Sequence, residues 1–390
     1  MDSSRTEGAL AGRSSGDVAP GLRELESRLG GWFQRPESRI PEEEFGAVAL
    51  QVFELQFLGN EAYRRYCESR GRTPASVSRW EDVPSVPATA FKYLDLLSAP
   101  GRPEAVFLTS GTTRGGGRRG RHPVSSLGLY RDACVPWFAM NLVPEGGRLP
   151  ILSLVPSPRE DPHSSLSAMM GFVCDALGTV DSGFFARPES GIRVQEFRSA
   201  LIRAEGEGVP VLVMGTAFAW VQWLERCGRE GWSFDLPEGS RLMETGGFKG
   251  RKRRVPRSEL YRGLEAALGI PAERMVNEYG MTELLSQLYE PVLRPASGKP
   301  READPGERVH LPPPWLRVRV LDPETLAPRK AGERGLLAFF DAANLASVSA
   351  ILTEDLGWMD DDGLRLVGRA EGAEPRGCSL AMEELLEGVP

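Results

Sequence analysis

Thr109-Ser110-Gly111-Thr112-Thr113 is followed by Arg114 and three glycines, Gly115 to Gly117. An apolar run that feeds a loop of hydroxyls and glycines presents O–H and backbone N–H donors to a polyphosphate. Arg114, Arg118, Arg119 and Arg121 add positive charge at the same place. The Walker A pattern is not met, because Gly117 and Arg118 stand where it requires a lysine and a hydroxyl. A solvated glycine-arginine loop is the alternative for this segment alone. A second run, Asn277-Glu278-Tyr279-Gly280-Met281-Thr282-Glu283, offers a ring to stack a base, a hydroxyl, and a carboxylate for Mg²⁺ beside phosphates. Its plain alternative is a helix start. In a third, Thr353-Glu354-Asp355 precedes Gly368-Arg369 by fourteen residues. A carboxylate and an arginine so placed would clamp ribose hydroxyls, whereas a surface ion pair is the simpler reading.

These groups need a frame. Short apolar runs at 106–110, 151–155, 211–215, 241–247 and 274–280 end in small or polar residues and alternate with helix-like stretches. Such alternation predicts an α/β fold with a mostly parallel sheet covered by helices on both faces. Ligands then sit beyond the carboxyl ends of the strands, where the small-residue loops lie. After Pro305, WLRVRVLD (315–322) and GLLAFFD (335–341) read as an antiparallel hairpin or small barrel. Before Val106, the chain reads as helical from Pro20 past Leu58, then as a proline-punctuated packing segment, 83–97, that turns helical. Residues 1–19 read as a disordered tail. The expected divisions are a main body over 20–365, with a β-rich part at 305–365, and a short tail over 366–390.

The chain has 390 residues with 47 Lys and Arg against 54 Asp and Glu, a net charge of −7. An overall electrostatic grip on nucleic acid or an anionic membrane is therefore not expected. No transmembrane segment is read, since the longest uncharged run (208–224) is broken by Pro210, Gly215 and Gln222. Five cysteines without a CxxC pair give neither a zinc framework nor a disulfide scaffold. With no secretory signal at the N-terminus, a reducing cytoplasm is the expected compartment.

The order TSGTT, YGMTE about 170 residues later, then TED and GR, resembles the core motifs of the adenylate-forming enzymes over roughly 107–369. The resemblance implies ATP and Mg²⁺ as cofactors. It places ATP phosphates on Thr109, Ser110, Gly111, Thr112 and Thr113, adenine on Tyr279, with Gly280 beside it, the metal on Glu283, a phosphate near Thr282, and ribose on Asp355 with Arg369 assisting. Gly246 and Gly247, at the end of the fourth run, join the nucleotide-binding set. Two departures narrow the match. Only 21 residues follow Arg369, none of them lysine, so the usual lid domain with its catalytic lysine is expected to be truncated. VPATAFK (86–92), HSSLSAMM (163–170), METGGFKG (243–250) and RGCSLAMEELL (376–386) resemble the acyl-protein synthetases, the fatty-acid-activating component of a bacterial fatty acid reductase complex. That resemblance implies a fatty acid substrate, acyl transfer to Cys378, and a reductase partner.

Three catalytic candidates follow. Cys378 follows Arg376-Gly377 in what reads as a flexible tail, and a nearby arginine lowers a thiol's pKa. Cys67, Cys134, Cys174 and Cys227 lie among apolar neighbours in helix-like stretches and read as structural. A carboxylate and an α-phosphate repel each other until a cation bridges them. Lys249 is that candidate, with Lys92 second, though Lys249 also opens the solvated basic run KGRKRR. His163 is placed to orient the acyl carboxylate or to cap a helix, while His122 and His310 read as loop residues. CoA or a carrier protein as the thiol donor, and a non-catalytic nucleotide-binding scaffold, are the competing functions.

Overall fold

The computed structural model describes residues 18–109, 118–246, 255–294, 304–369 and 376–387. Its centre is a six-stranded sheet of order β11-β10-β9-β8-β4-β5. These strands are β4 (Ile151–Ser153), β5 (Gly183–Phe184), β8 (Leu212–Thr216), β9 (Arg241–Thr245), β10 (Met275–Tyr279) and β11 (Leu288–Tyr289). All pairings are parallel except that of β10 with the edge strand β11. Four of the five apolar runs become β4, β8, β9 and β10, and β8 to β10 are almost wholly buried, as strands covered on both faces must be. The covering helices include α4 (Leu127–Leu142), α5 (Ser165–Leu177), α6 (Val194–Glu207), α7 (Ala217–Glu230) and α8 (Arg257–Leu268). Three of them start on hydroxyl caps, with Ser126, Ser164 and Thr216 accepting from the first-turn N–H groups. Left-handed Gly208, Gly231 and Gly269 end α6, α7 and α8.

A second sheet holds β1 (Val86–Pro87), β12 (Leu316–Leu321), β13 (Gly335–Asp341), β14 (Ala350–Asp360) and β15 (Gly363–Arg369), in the order β1-β14-β13-β12 with β15 on β14. The antiparallel β12–β13 pair expected from sequence is present. Helices α1 (Val18–Phe33), α2 (Glu42–Gly59) and α3 (Glu61–Ser69) resolve the long N-terminal helical stretch, and their aromatic residues enter the core that also holds Trp315 and Phe340. A two-stranded ribbon of β6 (Ala186–Arg187) and β7 (Gly191–Ile192) precedes α6. Helix α9 (Arg376–Glu387) packs on α3, β1 and β14.

Several expectations are corrected. The run at 106–110 is not a strand of the parallel sheet. It forms β2 (Ala105–Leu108), which pairs antiparallel with β3 (Arg121–Val124) in a separate hairpin. Segment 83–97 supplies β1 and only a short 3₁₀ turn, Ala88–Lys92. Residue 365 lies inside β15, so the expected tail begins within a sheet. The segment around Cys378 is not a free tail, because α9 is docked and Cys378 is 1% exposed. His122 is a fully buried residue of β3, and His310 is 1% exposed and bonded to Asn277, so neither is a loop residue in contact with solvent.

Candidate active site

Strands β9 and β10 end side by side, with Thr245 opposite Glu278 in register. The Thr245 hydroxyl donates to the Glu278 carboxylate. Gly246 follows with φ 71°, a left-handed turn that takes the chain off the sheet. At Gly280 a Cβ would stand 2.5 Å from Glu278 Oε1, so a side chain there would have to displace that carboxylate.

Tyr279, the last residue of β10, reaches across to the second sheet. Its hydroxyl donates to Asp355 Oδ2 at 2.8 Å, and its ring lies 5.8 Å from that of Phe339 on β13. Burial and the Asp355 charge push the phenol well above its usual pKa, so it remains a donor. Asp355 faces Arg369 across the β14–β15 pair, and the guanidinium lies 3.5 Å from both Asp355 and Glu354. The structure thus brings an aromatic ring together with a carboxylate and an arginine that lie 76 and 90 positions after it in sequence.

The turn after Tyr279 is held from several sides. Asp341, fully buried at the end of β13, accepts from the N–H groups of Leu285 and Ser286 and from the Ser286 hydroxyl at 2.7–3.0 Å. Burial outweighs these donors and pushes the carboxyl up to about 6. Glu283 is 8% exposed. His122 lies with Nδ1 2.7 Å from the Thr282 carbonyl and Nε2 2.9 Å from Asn344 Oδ1. Asn344 in turn donates to the Glu283 carbonyl at 2.9 Å. The β2–β3 hairpin is therefore fastened beside the Thr282–Glu283 turn. At its open end Thr109 and Gly120 pair through two hydrogen bonds, so the intervening residues leave and return at one point. Ser110, Gly111, Thr112, Thr113, Gly247 and Lys249 lie outside the described residues.

His163 sits in the loop before α5, but Ser164, not His163, caps that helix. The imidazole Nδ1 meets the Val106 carbonyl at 2.9 Å, and the His163 carbonyl accepts from Leu108, so this residue pins β2.

Cys378 is not beside Tyr279. On β13, Leu336 and Ala338 share one face and Leu337 and Phe339 the other. Cys378 packs with Leu336, Ala338 and Leu352, whereas Tyr279 packs on Phe339. The thiol donates to the Thr353 carbonyl at 3.6 Å, two residues from Asp355 but on the opposite face of the sheet. A cleft of about 780 Å³ opens on that same face, sharing Leu321, Leu326 and Leu352 with the thiol's surroundings. Helix α9 is held there by buried Ala381, Met382 and Leu385, by an Arg70–Glu384 ion pair, and by Gly377 N–H on the Pro323 carbonyl.

His122, Asp341, Asn344 and Phe339 are given no functional role by the sequence, which reads His122 as a loop residue. No local signal marks them, since burial of a polar side chain is a property of the assembled fold.

Comparison with known families bears on this arrangement. The family described as Acyl-protein synthetase, LuxE, matches residues 38–387. The chain belongs to that family. Two curated relatives, each a long-chain-fatty-acid–luciferin-component ligase, are 22% identical to it. The one from Aliivibrio fischeri aligns over 87% of this chain and 88% of its own length, and the one from Vibrio harveyi over 85% of each. The fold is also that of an adenylate-forming ligase. An open form of 2-hydroxyisobutyryl-CoA ligase in complex with 2-HIB-AMP and CoA superposes with TM-score 0.59 at 16% identity, over 86% of this chain and 77% of that one. A postadenylation form of the same enzyme gives 0.57 at 16% identity, over 88% and 69%. As a member of the acyl-protein synthetases the chain is an AMP-forming acyl ligase. No helix among the described residues is long and apolar enough to cross a membrane.

Proposed function

We propose that this acyl-protein synthetase activates a long-chain fatty carboxylate with ATP and then passes the acyl group to a thiol, its own Cys378, for delivery to an acyl reductase. The observation that carries the first half is the convergence of Tyr279, Asp355, Arg369 and the Thr282–Glu283 turn at the carboxyl end of the parallel sheet, in a chain of this family. The Tyr279 ring would stack adenine, and Asp355, oriented by Tyr279 and Arg369, would accept from ribose hydroxyls. The residues also suit Mg²⁺. Among the described residues no three His, Cys, Asp or Glu side chains gather as a metal cluster. A single carboxylate that shares the ion with substrate phosphates is the usual Mg²⁺ arrangement. Glu283 would hold the ion, which would neutralise phosphate charge.

In the first half-reaction a carboxylate oxygen attacks the α-phosphorus and pyrophosphate leaves. Two anions must meet, and Lys249 is the proposed bridging cation. In the second, a thiolate attacks the acyl carbon, the C–O bond of the mixed anhydride breaks, and AMP leaves. His163, at the root of β2, is proposed to orient the fatty carboxylate. Because Cys378 lies on the far face of the second sheet, α9 must leave its seat before the thiol can take the acyl group. That same burial favours a second reading, in which CoA or a carrier protein supplies the thiol. Fatty-acid-dependent pyrophosphate release tests the first half-reaction, and its stimulation by CoA separates the two acceptors. Pyrophosphate release that no carboxylic acid stimulates would refute activation itself.

A further inference from the structure

His122 lies just outside the Thr109–Gly120 closure, and its ring spans the gap between the β2–β3 hairpin and the turn after β10. A carbonyl only accepts, so Nδ1–H donates to the Thr282 oxygen at 2.7 Å. Asn344 commits its amide nitrogen to two carbonyls, Glu283 and Val348, each at 2.9 Å. Its oxygen lies 2.9 Å from His122 Nε2, a packing contact and not a second hydrogen bond, because a neutral imidazole with its proton on Nδ1 has none to give there. The His122 imidazole stands nearly perpendicular to the ring of Phe91, a residue of the 3₁₀ turn that precedes the hairpin, with the ring centroids 5.4 Å apart. Both His122 and Asn344 are at most 1% exposed, and burial holds the histidine below its usual pKa. Two consecutive backbone carbonyls, those of Thr282 and Glu283, are thus gripped by two buried side chains from other elements.

We infer that His122 and Asn344 are positioning residues for ATP–Mg²⁺: they fix the backbone of Thr282 and Glu283 relative to the β2–β3 hairpin, which brings Thr109 to its end. The inference rests on the nucleotide reading proposed above. Neither side chain needs to touch the nucleotide. Their effect is to prepay the ordering of two ligand-bearing segments that approach from different sheets, so that binding energy is not spent in assembling them. A buried carbonyl stripped of its donor is costly, so the turn rearranges when the grip is lost.

The chemistry of the variants is graded. In His122→Asn the side-chain amide stands close to the position of Nδ1 and keeps the donor to Thr282. His122→Leu removes the donor to Thr282, and Asn344→Asp removes the donors to Glu283 and Val348 with no change in size. ATP–Mg²⁺ affinity measured by titration calorimetry, which needs no turnover, should fall on the order of tenfold or more in His122→Leu and Asn344→Asp, and by less in His122→Asn. Melting curves are taken in parallel. Variants that lose melting temperature while binding ATP–Mg²⁺ like the wild type would overturn the positioning role and leave the nucleotide reading intact. A wild-type chain that binds no ATP–Mg²⁺ would overturn both, since the grip would then have no ligand to serve.

Discussion

Tyr279 and Asp355 make the most direct single-residue test of the nucleotide site, because each has a separable part. Tyr279→Phe keeps the ring against Phe339 and loses only the hydroxyl bond to Asp355, so ATP-dependent pyrophosphate release should fall only several-fold. Asp355→Ala removes the proposed ribose acceptor and leaves Arg369 facing Glu354 alone, and kcat/KM for ATP should drop about a hundredfold. Equal effects of the two changes would contradict the assigned roles. Glu244 gives a stability test. Burial pushes its carboxyl up to about 7, although Arg257 lies 3.4 Å away and Asn277 donates to it at 2.6 Å. The ordinary value is 4.5, so between about 4.5 and 7 the folded chain holds a proton that the unfolded chain releases. This contribution to stability is full below about 4.5 and lost as pH rises through about 7. His310, pushed down to about 3, acts in the opposite sense in acid, so the wild-type curve alone mixes the two. Glu244→Gln isolates the first: its melting temperature relative to wild type should increase from pH 5 to pH 8. A constant difference would contradict the buried-carboxylate account.

At the scale of elements, α9 decides whether Cys378 can react. Leu385 is fully buried, and Leu385→Ala in a packed setting costs roughly 2–5 kcal/mol. The undocked population should rise at least tenfold, and a thiol reagent should modify Cys378 correspondingly faster. Labelling no faster than in the wild type would mean that α9 docking does not control the thiol. The same helix shows what was legible and what was not. Cys378, Ala381, Met382 and Leu385 fall at i, i+3, i+4 and i+7, a helical stripe that the sequence carries in plain sight. Reading 366–390 as a loose tail passes over it. Runs β4, β8, β9 and β10 were legible because strands buried on both faces must be continuously apolar. Strand β2 has that same apolar texture. Its partner β3, Arg-His-Pro-Val, reads as loop, so the hairpin was assigned to the wrong sheet. Motif order singles out Tyr279, Asp355 and Arg369, which the fold brings together, whereas the His122–Asn344 pair exists only once β3 and the segment after β13 meet.

For the molecule as a whole, the proposed nucleotide site and the proposed acyl acceptor stand on opposite faces of one sheet. Strands β13 and β14 place Phe339 toward Tyr279 and send Ala338 and Leu352 toward Cys378. In the proposed reaction this separation would protect an acyl-adenylate from a premature thiol and would require a movement of α9 for each transfer. The central claim is therefore that one chain both makes the adenylate and carries the thioester on Cys378. It is tested most directly by intact-protein mass after incubation with ATP, Mg²⁺ and long-chain fatty acids, wild type beside Cys378→Ser. A gain of one acyl group in the wild type, reversed by hydroxylamine and absent from the variant, is the predicted result. Pyrophosphate release without any adduct on the wild type, or an adduct that persists in Cys378→Ser, would contradict it.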